Sequence, residues 1–238
     1  MKTPKTSYFL MLSVLISFFS LKAIANEKAL TKTDSIPVPK LAIILNSGSA
    51  SVTRIDMQKR EVIDEFPIGK EPHHLMISPD GKNLIVANAA GDNLVLLDPT
   101  SGNKVGTIPK IMDPYQIGFS PNKQWFVVAG NRLNRVDVYP VKNGEIQATP
   151  EIYKLPETPS HIAFTSDSQI AFVTLQDSNE LVAIHLAAKK ILWKIKVGKM
   201  PAGLWMTPGD KYLLVGITGE NYVQVIDWKT QQTVKKII

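Results

Sequence analysis

The residues best suited to chemistry are two adjacent histidines, His73 and His74, in the stretch "EPHHLMISPDGKNLIVAN" (residues 71–88) of a chain with four histidines in all. Imidazole ligates Zn, Cu and Fe and titrates near neutrality, so such a pair suits a metal or haem centre, or a general base. Glu71, Asp113 and Glu157 are the carboxylates that could complete such a site. The chain has no cysteine, which excludes thiolate metal sites, thiol nucleophiles, disulfides and covalently attached c-type haem. Adjacent side chains on an extended strand point to opposite sides, so only one of His73 and His74 is expected to face a given site.

What positions them is a repeat. "EPHHLMISPDGKNLIVANAAGDNLVLLDPTSGNKVGTIPK" has relatives at "DPYQIGFSPNKQWFVVAGNRLNRVDVYPVKNGEI", "TPSHIAFTSDSQIAFVTLQDSNELVAIHLAAKKILWKIKVG" and "MPAGLWMTPGDKYLLVGITGENYVQVIDWKTQQTVKKII". The opening prolines Pro72, Pro114, Pro159 and Pro201 are spaced 42, 45 and 42. A second marker, the residue ending the third apolar run, is read at Asp56, Asp98, Tyr139, His185 and Asp227, spaced 42, 41, 46 and 42. In the unit from Glu71 four strands are expected, over His73–Ser78, Asn83–Asn88, Asn93–Asp98 and Lys104–Pro109. Turn sequences "SPDGK", "AAGDN" and "DPTSGN" separate them. Four antiparallel strands per unit of about 40–45 residues mark the blade of a β-propeller. The expected class is all-β, with no sustained helical period after residue 25. Asp56, Asp98 and Asp227 are expected as Asx-turn acceptors rather than catalysts. Trp125, Trp193, Trp205 and Trp228 are expected to pack between blades.

Residues 1–25, with Lys2 and Lys5 before "SYFLMLSVLISFFSL" and Ala23-Ile24-Ala25 at the end, read as a signal peptide cleaved after Ala25. The expected location is the periplasm, with no stable membrane span after cleavage. Residues 26–40 read as a polar linker, and residues 41–238 as propeller, with units starting near 71, 113, 158 and 200. "LAIILN" (41–46) aligns with a second strand, so the chain enters at strand two and then runs through four complete units, giving 19 strands. The expectation is about five blades forming an open part of a ring of about seven. A five-bladed ring with one three-stranded blade is the alternative. An open arc exposes unpaired strand edges, an aggregation liability.

"PHHLMISPDGKNLIVANAAGDNLVLLDPTSGNKVGTI" resembles the YVTN-type, or YncE-like, β-propeller repeat: a proline, a hydrophobic strand, "SPDGK", a "V-[AT]-N" strand end, "V-x-[VL]-[IL]-D" and a short "TG" turn. The resemblance covers residues 41–238 and is loosest in the middle two units, where "SPNKQ" and "TSDSQ" lack the turn glycine. It implies an exported propeller, more often a binding or accessory module than an enzyme. Related propellers include lactonases and domains of periplasmic redox enzymes, so fold alone does not assign function.

In a propeller the first strand of each blade lines the central channel. The residues after each opening proline should therefore converge: His73 and His74, Tyr115 and Gln116, Ser160 and His161, Ala202 and Gly203. Glu71, Asp113 and Glu157 would rim this funnel, the candidate ligand site. No cofactor is implied, and nucleotide-binding, zinc-protease, nucleophile-elbow and EF-hand motifs are absent. Without the three lysines of residues 1–25 the net charge falls from +6 to +3, too mild a surplus to announce a nucleic-acid binder. The reading is a non-catalytic binding or scaffold module for a small ligand or a periplasmic protein. The alternatives are a lactonase-like hydrolase, a redox-enzyme accessory, or a binder of single-stranded nucleic acid.

Overall fold

The computed structural model describes residues 40–155 and 158–238. The expected signal peptide, the linker up to residue 39 and Glu157 lie outside the described residues. Among the described residues no helix is long and apolar enough to cross a membrane.

The strands form five antiparallel sheets, one per blade. Blade 1 holds β1 (Leu41–Asn46), β2 (Ser51–Asp56) and β3 (Glu61–Pro67). Blade 2 holds β4 (Pro72–Ile77), β5 (Leu84–Asn88), β6 (Asn93–Leu97) and β7 (Lys104–Pro109). Blade 3 holds β8 (Gln116–Phe119), β9 (Trp125–Gly130), β10 (Arg135–Lys142), β11 (Glu145–Ile146) and β12 (Glu151–Lys154). Blade 4 holds β13 (Pro159–Phe164), β14 (Ile170–Leu175), β15 (Glu180–His185) and β16 (Lys190–Lys196). Blade 5 holds β17 (Pro201–Met206), β18 (Tyr212–Ile217), β19 (Tyr222–Asp227) and β20 (Gln232–Ile237). The innermost strands touch in the order β1, β4, β8, β13, β17, and no contact of that extent joins β17 to β1 among the described residues. The result is a propeller arc whose first blade has three strands, as the alignment of "LAIILN" required.

Blade 3 adds a strand to the 19 expected. Its outer edge is broken: β11 pairs only with Val141 and Lys142, and β12 rejoins β10 at Arg135–Val138. Between them runs "QATP", whose Pro150 has no N–H to donate to a ladder.

Pairing also corrects the second repeat marker. Leu97, Tyr139, Ile184 and Ile226 sit opposite Leu84, Phe126, Ala171 and Leu213, respectively. Pro140, not Tyr139, is therefore the counterpart of Asp98, His185 and Asp227. The spacing becomes 42, 45 and 42, identical to that of the prolines. Tyr139 reads as the marker because it ends the apolar run, but it is a core residue, 1% exposed.

Each seam between blades is an apolar cluster fed by the facing sheets. Val52, Val86, Val95 and Leu97 join blades 1 and 2, and Ile85, Leu94, Phe126 and Tyr139 join blades 2 and 3. Val136, Val138, Val173 and Ile184 join blades 3 and 4, and Phe172, Leu213, Val215 and Ile226 join blades 4 and 5. Trp125, Trp193 and Trp228 pack at these seams, whereas Trp205 is 69% exposed. The turn aspartates behave as expected. Asp56 accepts the N–H groups of Gln58 and Lys59, Asp98 those of Thr100 and Ser101, and Asp227 those of Lys229 and Thr230.

The missing turn glycines have a structural replacement. Gly81 takes φ 74°, and Lys123, Ser168 and Asp210 hold the same turn position at φ 61°, 62° and 53°. A side chain here costs about 1 kcal/mol of left-handed strain, yet each one reaches the preceding blade. Lys123 Nζ donates to Pro79 O (2.7 Å), Ser168 Oγ accepts from Asn122 N (2.8 Å), and Asp210 Oδ2 accepts from Ser166 N (2.7 Å). Ser168→Ala, which keeps the strain and loses the bond, should therefore destabilise by about 1 kcal/mol. Ser168→Gly, which loses both, should leave the urea midpoint near wild type.

Candidate functional site

The residue before each blade-opening proline is in the left-handed region: Glu71 (φ 53°), Asp113 (47°), Thr158 (60°) and Met200 (51°). The following proline disfavours right-handed helical geometry there. Three of these residues are also clamped by the preceding blade. The N–H of Asp113 donates to Asp92 Oδ1 (2.8 Å), that of Thr158 to Asn134 Oδ1 (3.0 Å) and that of Met200 to Asn179 Oδ1 (2.8 Å). In the loop that leads to blade 2, Gly69 takes φ 141°, and a Cβ there would fall 2.3 Å from Asn88 Nδ2. That space lets the fully buried Asn88 donate to Ile68 O and Asn93 Oδ1.

A bulge follows the proline. The register slips between Pro72 and His74, between Pro159 and Ile162, and between Pro201 and Leu204. This bulge interrupts the simple alternation from which His73 and His74 were expected to face opposite sides. His73, His74 and His161 lie close enough for their charges to influence one another. His73 stacks on Tyr115 with ring centroids 3.7 Å apart and planes at 26°, and its Nδ1 lies 2.8 Å from Tyr115 O. His74 is half-buried beside it. Burial first, and then the charges of His73 and His161, push the His74 pKa down to about 4. Burial, with His73 second, also lowers the pKa of His161.

The neighbouring strands hold the rest of the cluster. His161 Nδ1 lies 2.7 Å from Ser160 Oγ, and its backbone N–H donates to Thr174 Oγ1 (3.0 Å). The Thr174 hydroxyl in turn donates to Ala202 O of blade 5 (3.2 Å). Gln116 Oε1 accepts from Ile162 N, tying β8 to β13. The buried Nδ1 of His74 has no hydrogen-bond partner among the described residues. Ala202 and Gly203 bring no polar side chain, so the polar wall belongs to blades 2, 3 and 4.

Of the expected acidic rim, Glu71 and Asp113 lie within the described residues and Glu157 outside them. Asp113 is 1% exposed and braces a loop, accepting from Leu133 N at 2.6 Å with Arg132 Nε 3.9 Å away. Glu71 is exposed at its loop. Thr158, rather than Glu157, is the counterpart of Glu71 and Asp113, and its hydroxyl donates to Asp177. Among the described residues no group of three or more His, Asp or Glu could hold a metal ion. The cluster offers imidazoles, an aromatic face, an amide and hydroxyls, which suit hydrogen bonding and stacking to a polar ligand. Among the described residues no carboxylate hydrogen-bonds to any of the three imidazoles to orient it as a base.

Sequence reading missed Thr174 and the Asp92, Asn134 and Asn179 clamps. The clamps were visible as Asx residues just before the third strand at spacings of 42 and 45, the same as the prolines.

A family model described as "YNCE-like beta-propeller" matches residues 43–238. The chain is 25% identical over 218 residues to Antigen Lp49 of Leptospira interrogans, covering 79% of this chain and 45% of Lp49. Thus the chain spans less than half the length of that relative. A solved protein from Lactobacillus plantarum superposes with TM-score 0.70 at 15% identity, covering 84% of this chain and 68% of that one. A candidate 6-phosphogluconolactonase from Bacteroides fragilis NCTC 9343 also gives TM-score 0.70 at 15% identity, covering 83% and 66%. At such identities these two structures attest the fold alone.

Proposed function

This chain belongs to the YNCE-like β-propeller family, and on that premise we propose that it is an exported, non-catalytic binding module that works in the periplasm. Its ligand is a small polar molecule held at the mouth where blades 2, 3 and 4 meet. What supports this reading is the stack of His73 on Tyr115, the bond that ties Gln116 to β13 beside His161, and the electrostatic influence of His73 and His161 on His74, while Asp113 is consumed by its own loop. Tyr115 supplies the stacking face, Gln116 and Ser160 the hydrogen-bonding edge, and His74 a half-buried imidazole behind them.

A thermal-shift screen of small polar metabolites against the mature protein tests it. Tyr115→Ala and His161→Ala should each weaken a true ligand by about tenfold. His185→Ala, in the third strand of blade 4, should not. Binding that persists unchanged in both cluster variants would refute the assignment. A steep fall of affinity with salt would point instead to nucleic acid.

A further inference from the structure

The four seams between blades are built from equivalent positions but are not filled alike. Where blade 4 meets blade 5, three rings fill the gap: Phe172 lies 5.7 Å from Trp193 and 5.4 Å from Trp228, centroid to centroid. Strand pairing identifies their counterparts where blade 2 meets blade 3. Phe172 follows Ala171 as Ile85 follows Leu84. Trp193 pairs with Ala183 as Gly106 pairs with Leu96. Trp228 lies two residues past Ile226 as Val141 lies two past Tyr139. Three rings are thus replaced by an isoleucine, a glycine and a valine.

The consequence is a cavity of about 520 Å³, walled by Ile85, Leu96 and Ile108 of blade 2 and by Phe119, Val141 and Ile146 of blade 3. The other seams are closed differently. A gap of about 130 Å³ lies between blades 3 and 4 beside Trp125 and Leu186, and an apolar pocket of about 300 Å³ lies along the inner strands of blades 3, 4 and 5, between Phe119 and Trp205. Between blades 1 and 2, Arg54 pairs with Asp64 and reaches Ser101 O and Asn103 Oδ1. Close packing is the rule in protein interiors, so an apolar gap of this size between two blades calls for an occupant. Its volume lies in the range of about 300–1,000 Å³ typical of small-molecule sites. The mouth is polar: Asp80, Lys123 and Glu145 border it, and Lys123 spans it to Pro79 O. It opens at the Ile77 and Phe119 end of the inner strands, away from the histidine cluster at the Pro72 end.

We propose that this seam binds a flat, apolar ring compound with one polar end, occupying the volume that aromatic side chains fill between blades 4 and 5. Two facing sheets about 10 Å apart leave a slab-shaped gap, and the partly exposed Phe119 offers an edge or face for ring contact. The polar end remains at the mouth, among Asp80, Lys123 and Glu145.

Titration of the protein with the uncharged fluorophore N-phenyl-1-naphthylamine provides the test. The wild type should show saturable, one-site fluorescence enhancement. Gly106→Trp and Val141→Trp, which rebuild the ring filling of the other seam, should weaken it by about tenfold or more and melt no lower than wild type. Trp205→Ser, which removes the exposed ring of blade 5, should leave the titration unchanged. The proposal is overturned if the wild type shows no saturable binding, or if either folded filling variant binds within about twofold of wild type. Failure of both filling variants to fold would overturn it equally, because the seam would then have no room. If one folds, it carries the readout alone.

Discussion

Lowering the pH from 7 to 4 should remove about 3 kcal/mol of folding stability through His74 alone. The sign follows from burial. His74 titrates near 4 in the folded protein, against 6.5 in an exposed imidazole. The unfolded chain therefore takes up a proton in a window where the native state refuses it. Stability is complete above about pH 6.5 and falls as the pH drops toward 4, below which the loss levels off. His161, also lowered, adds in the same direction. The turn carboxylates Asp56, Asp80 and Asp98, lowered chiefly by hydrogen bonds from Lys59, Ser78 and Ser101, contribute mainly below about pH 5. Urea midpoints measured at constant m between pH 7 and 4 check this. His74→Asn should flatten most of the slope, and a wild-type midpoint that does not move over this range would show that His74 is not buried beside two other imidazoles.

Asp137→Ala should destabilise the protein by about 3–5 kcal/mol, the typical cost of orphaning one partner of a buried ion pair. Asp137 is 1% exposed in the seam between blades 2 and 3, in contact with the Arg135 guanidinium. Burial pushes the Asp137 carboxyl up and the Arg135 contact pulls it back. Removing the carboxylate leaves the partly buried Arg135 without its neutralising partner, with only the more distant Asp113 charge to offset it. Replacing both members, as Arg135→Met with Asp137→Leu, should return stability to within about 1 kcal/mol of wild type, because neither charge then remains to be desolvated. Equal losses in the single and double variants would place the effect in strand packing rather than in the pair.

The fold was legible because a propeller writes its period into the chain. The prolines, the turn aspartates and the aliphatic runs each answer a local demand, and together they located every blade, including the three-stranded first one. What escaped was whatever depends on a neighbouring blade. Tyr139 was mistaken for a turn marker because sequence cannot show that its ring packs against blade 2. Lys123 and Ser168 looked like departures from a glycine pattern until their side chains were seen reaching across seams. The site was half legible for the same reason. Position after the proline singled out His73, His74, Tyr115, Gln116 and His161, but the bulge that interrupts strand alternation at the histidine pair is invisible in residue types. Asp113 was placed on the rim by its position in the repeat, when its carboxylate is turned inward to hold Leu133 and Arg132.

The proposed ligand-binding mouth gathers three of the four histidines. The most direct measurement is a histidine-selective NMR spectrum of the mature protein, recorded with and without a thermal-shift hit from the metabolite screen. The imidazole signals of His73, His74 and His161 should shift together while that of His185, which accepts from Ala188 N in a turn of blade 4, stays fixed. Movement of His185 without the other three, or no movement of the three at saturation, would contradict the account.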